Sequence, residues 1–214
     1  MHTRPNFNFI APVYDGLARL VFGRRLQQAQ TAGLPWVPTG ATVLLLGGGT
    51  GESLVALLKT CQPARVVYLE SSAAMLARAS RRLLTAPVAA TVEFRLGTEA
   101  ALKPDEVFDL VMTPFVLDLF TEQTLQHHLI PALGRVLRPG GLWLITDFVP
   151  GHSGWRQALI GTMIGFFRLT AGIETRQLAN WPAQLKQAGF VRHQELSQLD
   201  GLVATELWQR PTGH

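Results

Sequence analysis

The chain has 214 residues, 47% hydrophobic and 16% charged, a balance that suits one α/β domain with a full core and excludes an intrinsically disordered chain. Its formal charge of +4 does not by itself predict a nucleic-acid partner, because the densest basic groups (Arg24-Arg25 and Arg78, Arg81, Arg82) read as solvated helix faces without interleaved aromatics. A single cysteine, Cys61, excludes an intrachain disulfide and a Cys-rich metal site, and no His/carboxylate cluster argues for any other metal.

The opening stretch, MHTRPNFNFIAPVYDG, lacks the basic-then-apolar design of a signal peptide. Apolar positions Leu17, Leu20, Val21 and Ala29 predict a helix over about 10–31, followed by a breaker-rich linker, LPWVPTG. Strands and helices then alternate. The wholly apolar run Val43–Leu46 reads as a strand buried on both faces, and a helix is expected over 52–60. A second strand is expected at 66–69, a helix at 71–84, and further strands at 91–96 and 108–112. A helix over 122–136 is closed by the turn Arg138-Pro139-Gly140-Gly141, ahead of a fifth strand at 142–148. Such alternation predicts right-handed crossovers and a parallel, doubly wound sheet that binds ligands at the carboxyl ends of its strands. That places the loops after residues 46, 70, 96 and 113 around one crevice.

Beyond Phe148 the pattern changes. A loop at 150–154 leads into the apolar segment WRQALIGTMIGFFRLTAGI (155–173), in which Gly161 and Gly165 stand four apart, and a helix is expected at 181–188. Two β-like runs, 190–196 and 202–208, are separated by too little chain for a crossover and read as an antiparallel hairpin at the sheet edge. No uninterrupted apolar run approaches the roughly 20 residues that cross a bilayer, so the chain is expected to be soluble and cytoplasmic. Peripheral contact with a membrane surface stays open.

The segment after the first strand, GGGTGES, carries the first chemical signal. Glycines let the backbone turn sharply and approach a ligand where a Cβ would collide. A dinucleotide fingerprint starting at Gly47 would need glycine at 52, and a P-loop would need Gly-Lys-Ser/Thr; Gly51 is instead followed by Glu52. A carboxylate at that helix start would repel a pyrophosphate, so the loop is expected to hold a ligand without phosphate. Glu70 ends the second strand nineteen positions beyond Gly51, where a carboxylate accepts hydrogen bonds from both hydroxyls of a ribose. The alternative for the loop alone is a plain tight turn.

These residues resemble those of the class I S-adenosylmethionine-dependent methyltransferases. VLLLGGGTG resembles the family's first motif, and VVYLESSAAMLARA its second strand, acidic residue and following helix. FRLGTEAAL resembles the loop that holds the adenine, FDLVMTPFVLDL the fourth-strand motif, and VLRPGGLWLITDF the late turn and fifth strand. The five segments run in family order over about 41–148, and FIAPVYDGLARLVFG resembles the N-terminal helix of the quinone-biosynthesis branch. The resemblance implies a Rossmann-like, doubly wound, mostly parallel seven-stranded sheet with an antiparallel C-terminal strand. It implies one domain over 1–214: a helical cover (1–32), the cofactor core (41–148), an acceptor-side lid or insertion (149–180) and a C-terminal sheet edge (181–210). The implied cofactor is S-adenosylmethionine, with S-adenosylhomocysteine as product. Gly47, Gly48, Gly49 and Gly51 would pass under its methionine part, Glu70 would hold the ribose, and Ser71 and Met75 would flank the adenosine. Thr98 or Glu99 would meet the adenine amino group, and Thr113, Pro114 and Phe115 would border the sulfonium. One position departs from the pattern: the family usually carries an acid two residues before the first glycine, and here that residue is Leu45.

Methyl transfer from a sulfonium needs alignment and exclusion of water more than a fixed triad, and a base only where the acceptor must lose a proton. Candidates for that base are Tyr14, Asp118, Asp147 and His152; the alternatives are a lid residue or helix packing for Tyr14, a turn for Asp118 and a solvated loop residue for His152. His127 and His128, adjacent in a helix, point in different directions and read as surface residues. The expected partner is a small hydrophobic or aromatic acceptor rather than nucleic acid, and a homodimer stays open. The competing functions are a non-catalytic S-adenosylmethionine-binding protein, which Leu45 motivates, and an NAD-dependent oxidoreductase, which the missing glycine at 52 disfavours.

Overall fold

The computed structural model describes residues 25–84, 90–150 and 178–212. Helix α1 (Arg25–Ala32) leads through a 3₁₀ turn (Leu34–Trp36) to β1 (Thr42–Leu46). There follow α2 (Glu52–Cys61), β2 (Arg65–Glu70), α3 (Ala73–Leu84), β3 (Thr91–Leu96) and β4 (Phe108–Pro114). Beyond a helical stretch that begins at Glu122–Thr124 and ends at Ile130–Val136, here α4, come β5 (Leu137–Phe148), α5 (Trp181–Gln187), β6 (Val191–Gln198) and β7 (Val203–Gln209).

The seven strands form one sheet in the order β3-β2-β1-β4-β5-β7-β6. β1 pairs in parallel with β2 and β4, β2 with β3, and β4 with β5, whereas β7 runs antiparallel to both β5 and β6. The expected hairpin therefore forms, with the last strand on its inner side. Alternation along the strands divides the core into two layers. Leu44, Leu46, Val67 and Leu69 face Leu129, Leu133, Trp181 and Leu185 of α4 and α5. Val43, Leu45, Val66 and Tyr68 face Leu54, Leu57 and Leu58 of α2 and Ala79 of α3. The apolar runs that predicted buried strands are thus covered by helices on both sides. Among the described residues no helix is long and apolar enough to cross a membrane.

Two local features differ from the expectation. The Arg138-Pro139-Gly140-Gly141 stretch lies inside β5 rather than before it. Phe108 pairs with Leu137 and Leu110 with Leu142, so the intervening residues bulge, with Gly140 at φ +71°. The bulge is held from the far end of the sheet, where Gly140 N–H donates to the Arg210 carbonyl and Arg210 N–H to that of Gly141. The helix over 122–136 is interrupted by a π turn, Leu125–Leu129, closed by a bond from Ile130 N–H to the Leu125 carbonyl. Pro131 follows at once; it has no N–H, and its ring would press on the carbonyl four residues back, so a wider turn accommodates it. His127 and His128 are exposed on this turn.

The loop after β3 is fastened by charge. Arg95 Nη2 contacts Glu93 Oε1 at 2.6 Å and Glu106 Oε1 at 2.7 Å, and Arg95 Nη1 donates to the Ala101 carbonyl. Glu106 also accepts from Lys103 N–H, and the Arg95 guanidinium beside it holds its carboxyl down to about 2. This network positions residues 97–102 at the crevice.

Candidate functional site

At the carboxyl end of β1 the chain turns through three glycines in the left-handed region: Gly47, Gly49 and Gly51, at φ +68°, +61° and +86°. Their reasons for being glycine differ. A Cβ on Gly47 would stand 2.5 Å from Val116 Cγ2, across the mouth of β4. One on Gly48 would stand 2.3 Å from Leu45 Cδ2 and 2.5 Å from the Tyr68 ring. One on Gly49 would meet only Met75 Sδ, at 4.0 Å, so this glycine faces open space among the described residues. Gly51 faces α3, with Ala79 Cα and Cβ both 2.8 Å from a Cβ placed there. Gly51→Ala is therefore expected to cost about 2–4 kcal/mol from the left-handed conformation and the crowding together. A urea melt of that variant checks it, and a loss below about 1 kcal/mol would mean that α3 slides aside freely.

Glu70 closes β2 and is 4% exposed. Its Oε2 accepts from Gly49 N–H at 3.0 Å and its Oε1 from Ser72 N–H at 2.9 Å, with Ser71 Oγ 3.4 Å away. Burial pushes its carboxyl up, and the bonds from Ser72, Gly49 and Ser71 oppose that rise. A carboxylate has about four acceptor positions, so capacity remains on both oxygens for further donors. Ser72 caps α3 by accepting from Met75 N–H, which sets Met75 against the glycine loop, while Ser71 is exposed beside Glu70. Gly97 N–H donates to the Glu70 carbonyl at 2.9 Å, bringing the third loop to the same edge. There Thr98 caps a 3₁₀ turn through Ala100 N–H, and Glu99 is half-exposed. The cluster of Gly47, Gly48, Gly49, Glu70, Ser71, Met75, Thr98 and Glu99 is thus brought together at the strand ends.

The mouth of β4 is different. Thr113 is fully buried and its hydroxyl accepts from Trp143 Nε1 at 2.9 Å, so its side chain serves the core rather than the crevice. Pro114 is also buried. Phe115 takes a left-handed backbone, φ +55°, uncommon for a bulky residue; its N–H donates to the Thr146 carbonyl at 2.7 Å and its ring lies 5.3 Å from that of Phe148. Asp147, which is fully buried, collects three backbone donors, two of them from the strained turn. Val116 N–H (3.0 Å), Leu117 N–H (2.7 Å) and Phe148 N–H (2.8 Å) all point at its carboxylate. The Asp118 carboxyl lies within hydrogen-bonding reach of the same group, and its Oδ1 has no partner among the described residues. Burial raises both acids, Asp118 to about 6, and the charge of Asp118 raises Asp147 further. Two such neighbours hold one proton between them near neutrality.

Tyr14, His152 and the apolar segment 155–173 lie outside the described residues. Glu52 does not face the crevice: its Oε1 contacts Arg82 Nη1 at 3.0 Å. Its charge is thereby balanced on α3, so the expected repulsion of a phosphate loses its force. Among the described residues no group of three or more His, Cys, Asp or Glu could hold a metal. Sequence reasoning missed Tyr68, whose hydroxyl donates to the Gly49 carbonyl at 2.8 Å. The available signal was a lone polar group inside an apolar strand, two residues before Glu70 and so on the same face.

A family model described as a methyltransferase domain matches residues 43–141. The chain is 34% identical over 146 residues to the ubiquinone/menaquinone biosynthesis C-methyltransferase UbiE of Pseudomonas fluorescens, covering 66% of this chain and 56% of that protein. To the protein of the same name from Cellvibrio japonicus it is 30% identical over 151 residues, 69% of this chain and 59% of the relative. It therefore spans less than three fifths of the length of these curated relatives. Among solved structures, a chain of the complex between the Haloferax volcanii Trm112 methyltransferase activator and a methyltransferase superposes with a TM-score of 0.70 at 17% identity. That match covers 98% of this chain and 100% of the other, a likeness of fold.

Proposed function

This chain belongs to the class I S-adenosylmethionine-dependent methyltransferase family, and on that premise we propose that it transfers a methyl group to a small, apolar or aromatic acceptor by in-line displacement. The observation that carries the reading is Glu70. It is buried at the end of β2, fixed by Gly49 and Ser72 N–H groups, and has acceptor capacity left beside the open side of Gly49. The residues present fit S-adenosylmethionine, because a Cβ at Gly47 would close the cradle and Gly49 leaves room above it. In this reading Glu70 holds the ribose, Ser71 and Met75 flank the adenosine, and Thr98 or Glu99 meets the adenine edge. Gly47 to Gly49 carry the methionine part, and the β4 mouth at Phe115 borders the sulfonium. Bound there, S-adenosylmethionine supplies a methyl group already activated by its sulfonium charge.

What the chain itself contributes is alignment and a dry site. Val116, Phe115 and Met75 keep the rim apolar, and holding two reactants in line lowers a barrier by roughly 7–11 kcal/mol. Similarity to quinone-biosynthesis C-methyltransferases supports a lipophilic ring as acceptor. Methylation of a ring carbon expels a ring proton, and Asp118 is the described residue suited to take it. Its Oδ1 is unpartnered, and a carboxyl near pH 6 is well matched to proton transfer at neutral pH. Tyr14 and His152 remain alternative bases. The cover at 1–32 and the acceptor-side lid at 149–180 belong to the same proposal, as do the cytoplasmic location and a small-molecule partner.

A second reading, an S-adenosylmethionine-binding protein without turnover, is favoured by Leu45 alone. Calorimetric titration of S-adenosylmethionine and S-adenosylhomocysteine, with NADH as control, tests the site, and turnover of a panel of lipophilic phenols and quinols tests the chemistry. Micromolar binding of the sulfur ligands with turnover is expected. Binding without turnover across the panel would favour the second reading, and binding of NADH alone would overturn both.

A further inference from the structure

Both backbone polar groups of Gly49 are held by side chains from one strand. Its N–H donates to Glu70 Oε2 at 3.0 Å, and its carbonyl accepts from Tyr68 Oη at 2.8 Å. Tyr68 and Glu70 stand two apart on β2, so both project to the face over which the glycine loop passes. Tyr68 is 0% exposed, its ring packs 5.4 Å from that of Phe94, and its register partner on β1 is Leu45. Leu45 Cδ2 and the Tyr68 hydroxyl together fill the space below Gly48, where a Cβ would stand 2.3 Å and 2.7 Å from them. The phenol therefore reaches the loop from beneath through a gap that only glycine leaves. A buried hydroxyl with one acceptor in reach is held to a single rotamer.

We propose that Tyr68 is a positioning residue for the cofactor: with Glu70 it clamps the two peptides that flank the Gly49 Cα and fixes the height of the loop over which the ligand lies. The inference rests on the S-adenosylmethionine reading of the crevice. It also gives the Leu45 departure a physical account. With an apolar side chain at 45, the polar contact to the loop from the sheet comes from the neighbouring strand. Leu45 itself closes the dry wall that keeps the phenol bonded to Gly49 rather than to water.

Tyr68→Phe removes one hydroxyl and keeps the ring, so the clamp is tested without emptying the core. One neutral hydrogen bond corresponds to about a fivefold change in affinity, and S-adenosylhomocysteine binding by calorimetry is expected to weaken about five- to tenfold. In the ligand-free protein, amide exchange is expected to quicken at residues 48–51 and to stay unchanged in β1 and β4. Unchanged affinity, or faster exchange spread across the whole sheet, would overturn the clamp. Because exchange is read without ligand, the two failures separate. Wild-type protein that binds no S-adenosylhomocysteine sinks the cofactor reading, whereas unaltered exchange in Tyr68→Phe sinks the clamp.

Should Tyr68→Phe fold poorly, the wild-type chain labelled with 3-fluorotyrosine supplies the answer, since it has two tyrosines and Tyr14→Phe assigns the resonances. The Tyr68 fluorine signal is expected to move when S-adenosylhomocysteine binds. A fixed signal under saturating ligand would overturn the proposal.

Discussion

Glu70→Ala is expected to weaken S-adenosylhomocysteine binding by more than about a hundredfold, the largest effect of any single change at the crevice. Hydrogen bonds to a charged carboxylate contribute roughly 1.5–3 kcal/mol each, and two ribose hydroxyls would lose theirs together. The same change releases Gly49 N–H and Ser72 N–H, so the loop and the start of α3 lose their common anchor. Glu70→Gln separates the two parts. It keeps one carbonyl oxygen for a backbone donor but presents an NH₂ where the other acceptor stood, and an intermediate loss of about tenfold is expected. Calorimetry on both variants reads the difference. Wild-type affinity in Glu70→Ala would mean that the ligand binds elsewhere on the chain.

The second large effect concerns stability. Asp147→Ala leaves three buried N–H groups, those of Val116, Leu117 and Phe148, without their acceptor. A loss of about 3–5 kcal/mol is expected, a large part of the 5–15 kcal/mol that holds a typical domain together. The acid pair also predicts a pH profile. Burial raises both carboxyls and the charge of Asp118 raises Asp147 further, so the folded chain keeps a proton that the unfolded chain would release. The stability contributed by the pair is complete below the ordinary aspartate value of 3.8 and is lost as pH rises through about 6. Glu70 and Glu206, also raised by burial, add to that limb. Glu106 acts in the opposite sense: held down to about 2 by Arg95, its contribution is complete above 4.5 and lost as pH falls toward 2. Urea unfolding between pH 3 and pH 9 is therefore expected to show greatest stability near about pH 4–5. Asp118→Asn is expected to flatten the fall above pH 5 and to be more stable than wild type at pH 8. A wild-type profile that is level from pH 5 to 8 would sink the shared-proton account.

Much of this was legible in the residues because it rests on local pattern. Runs such as VLLL and VVYL read as strands because both faces are buried, and the glycine loop with Glu70 reads as a site because spacing alone places them at adjacent strand ends. What stayed hidden was the partner of each polar group. Glu52 looked aimed at the ligand until Arg82 was found beside it, and Thr113 looked like a rim residue although its hydroxyl is taken up by Trp143. Asp147 was visible as an acid, but two of its three backbone donors, those of Val116 and Leu117, depend on the left-handed turn at Phe115, which nothing in an aromatic side chain announces. The bulge in β5 was equally invisible, because Arg-Pro-Gly-Gly spells a turn and only the return of the chain at Arg210 keeps it in the sheet.

The place of β7 bears on how the molecule is made. Its residues Val203–Gln209 fill the slot between β5 and β6, and seven of them pair with Leu142–Phe148. A ribosome delivers that slot's occupant after the other six strands of the sheet. Until it emerges, β5 presents an open ladder of N–H and C=O groups on an otherwise finished parallel half-sheet, the kind of surface that recruits a neighbouring nascent chain. Closing the sheet then becomes a race between the emergence of this strand and aggregation. Loss of this one strand would leave β6 without its partner and so take two strands from the sheet instead of trimming its border.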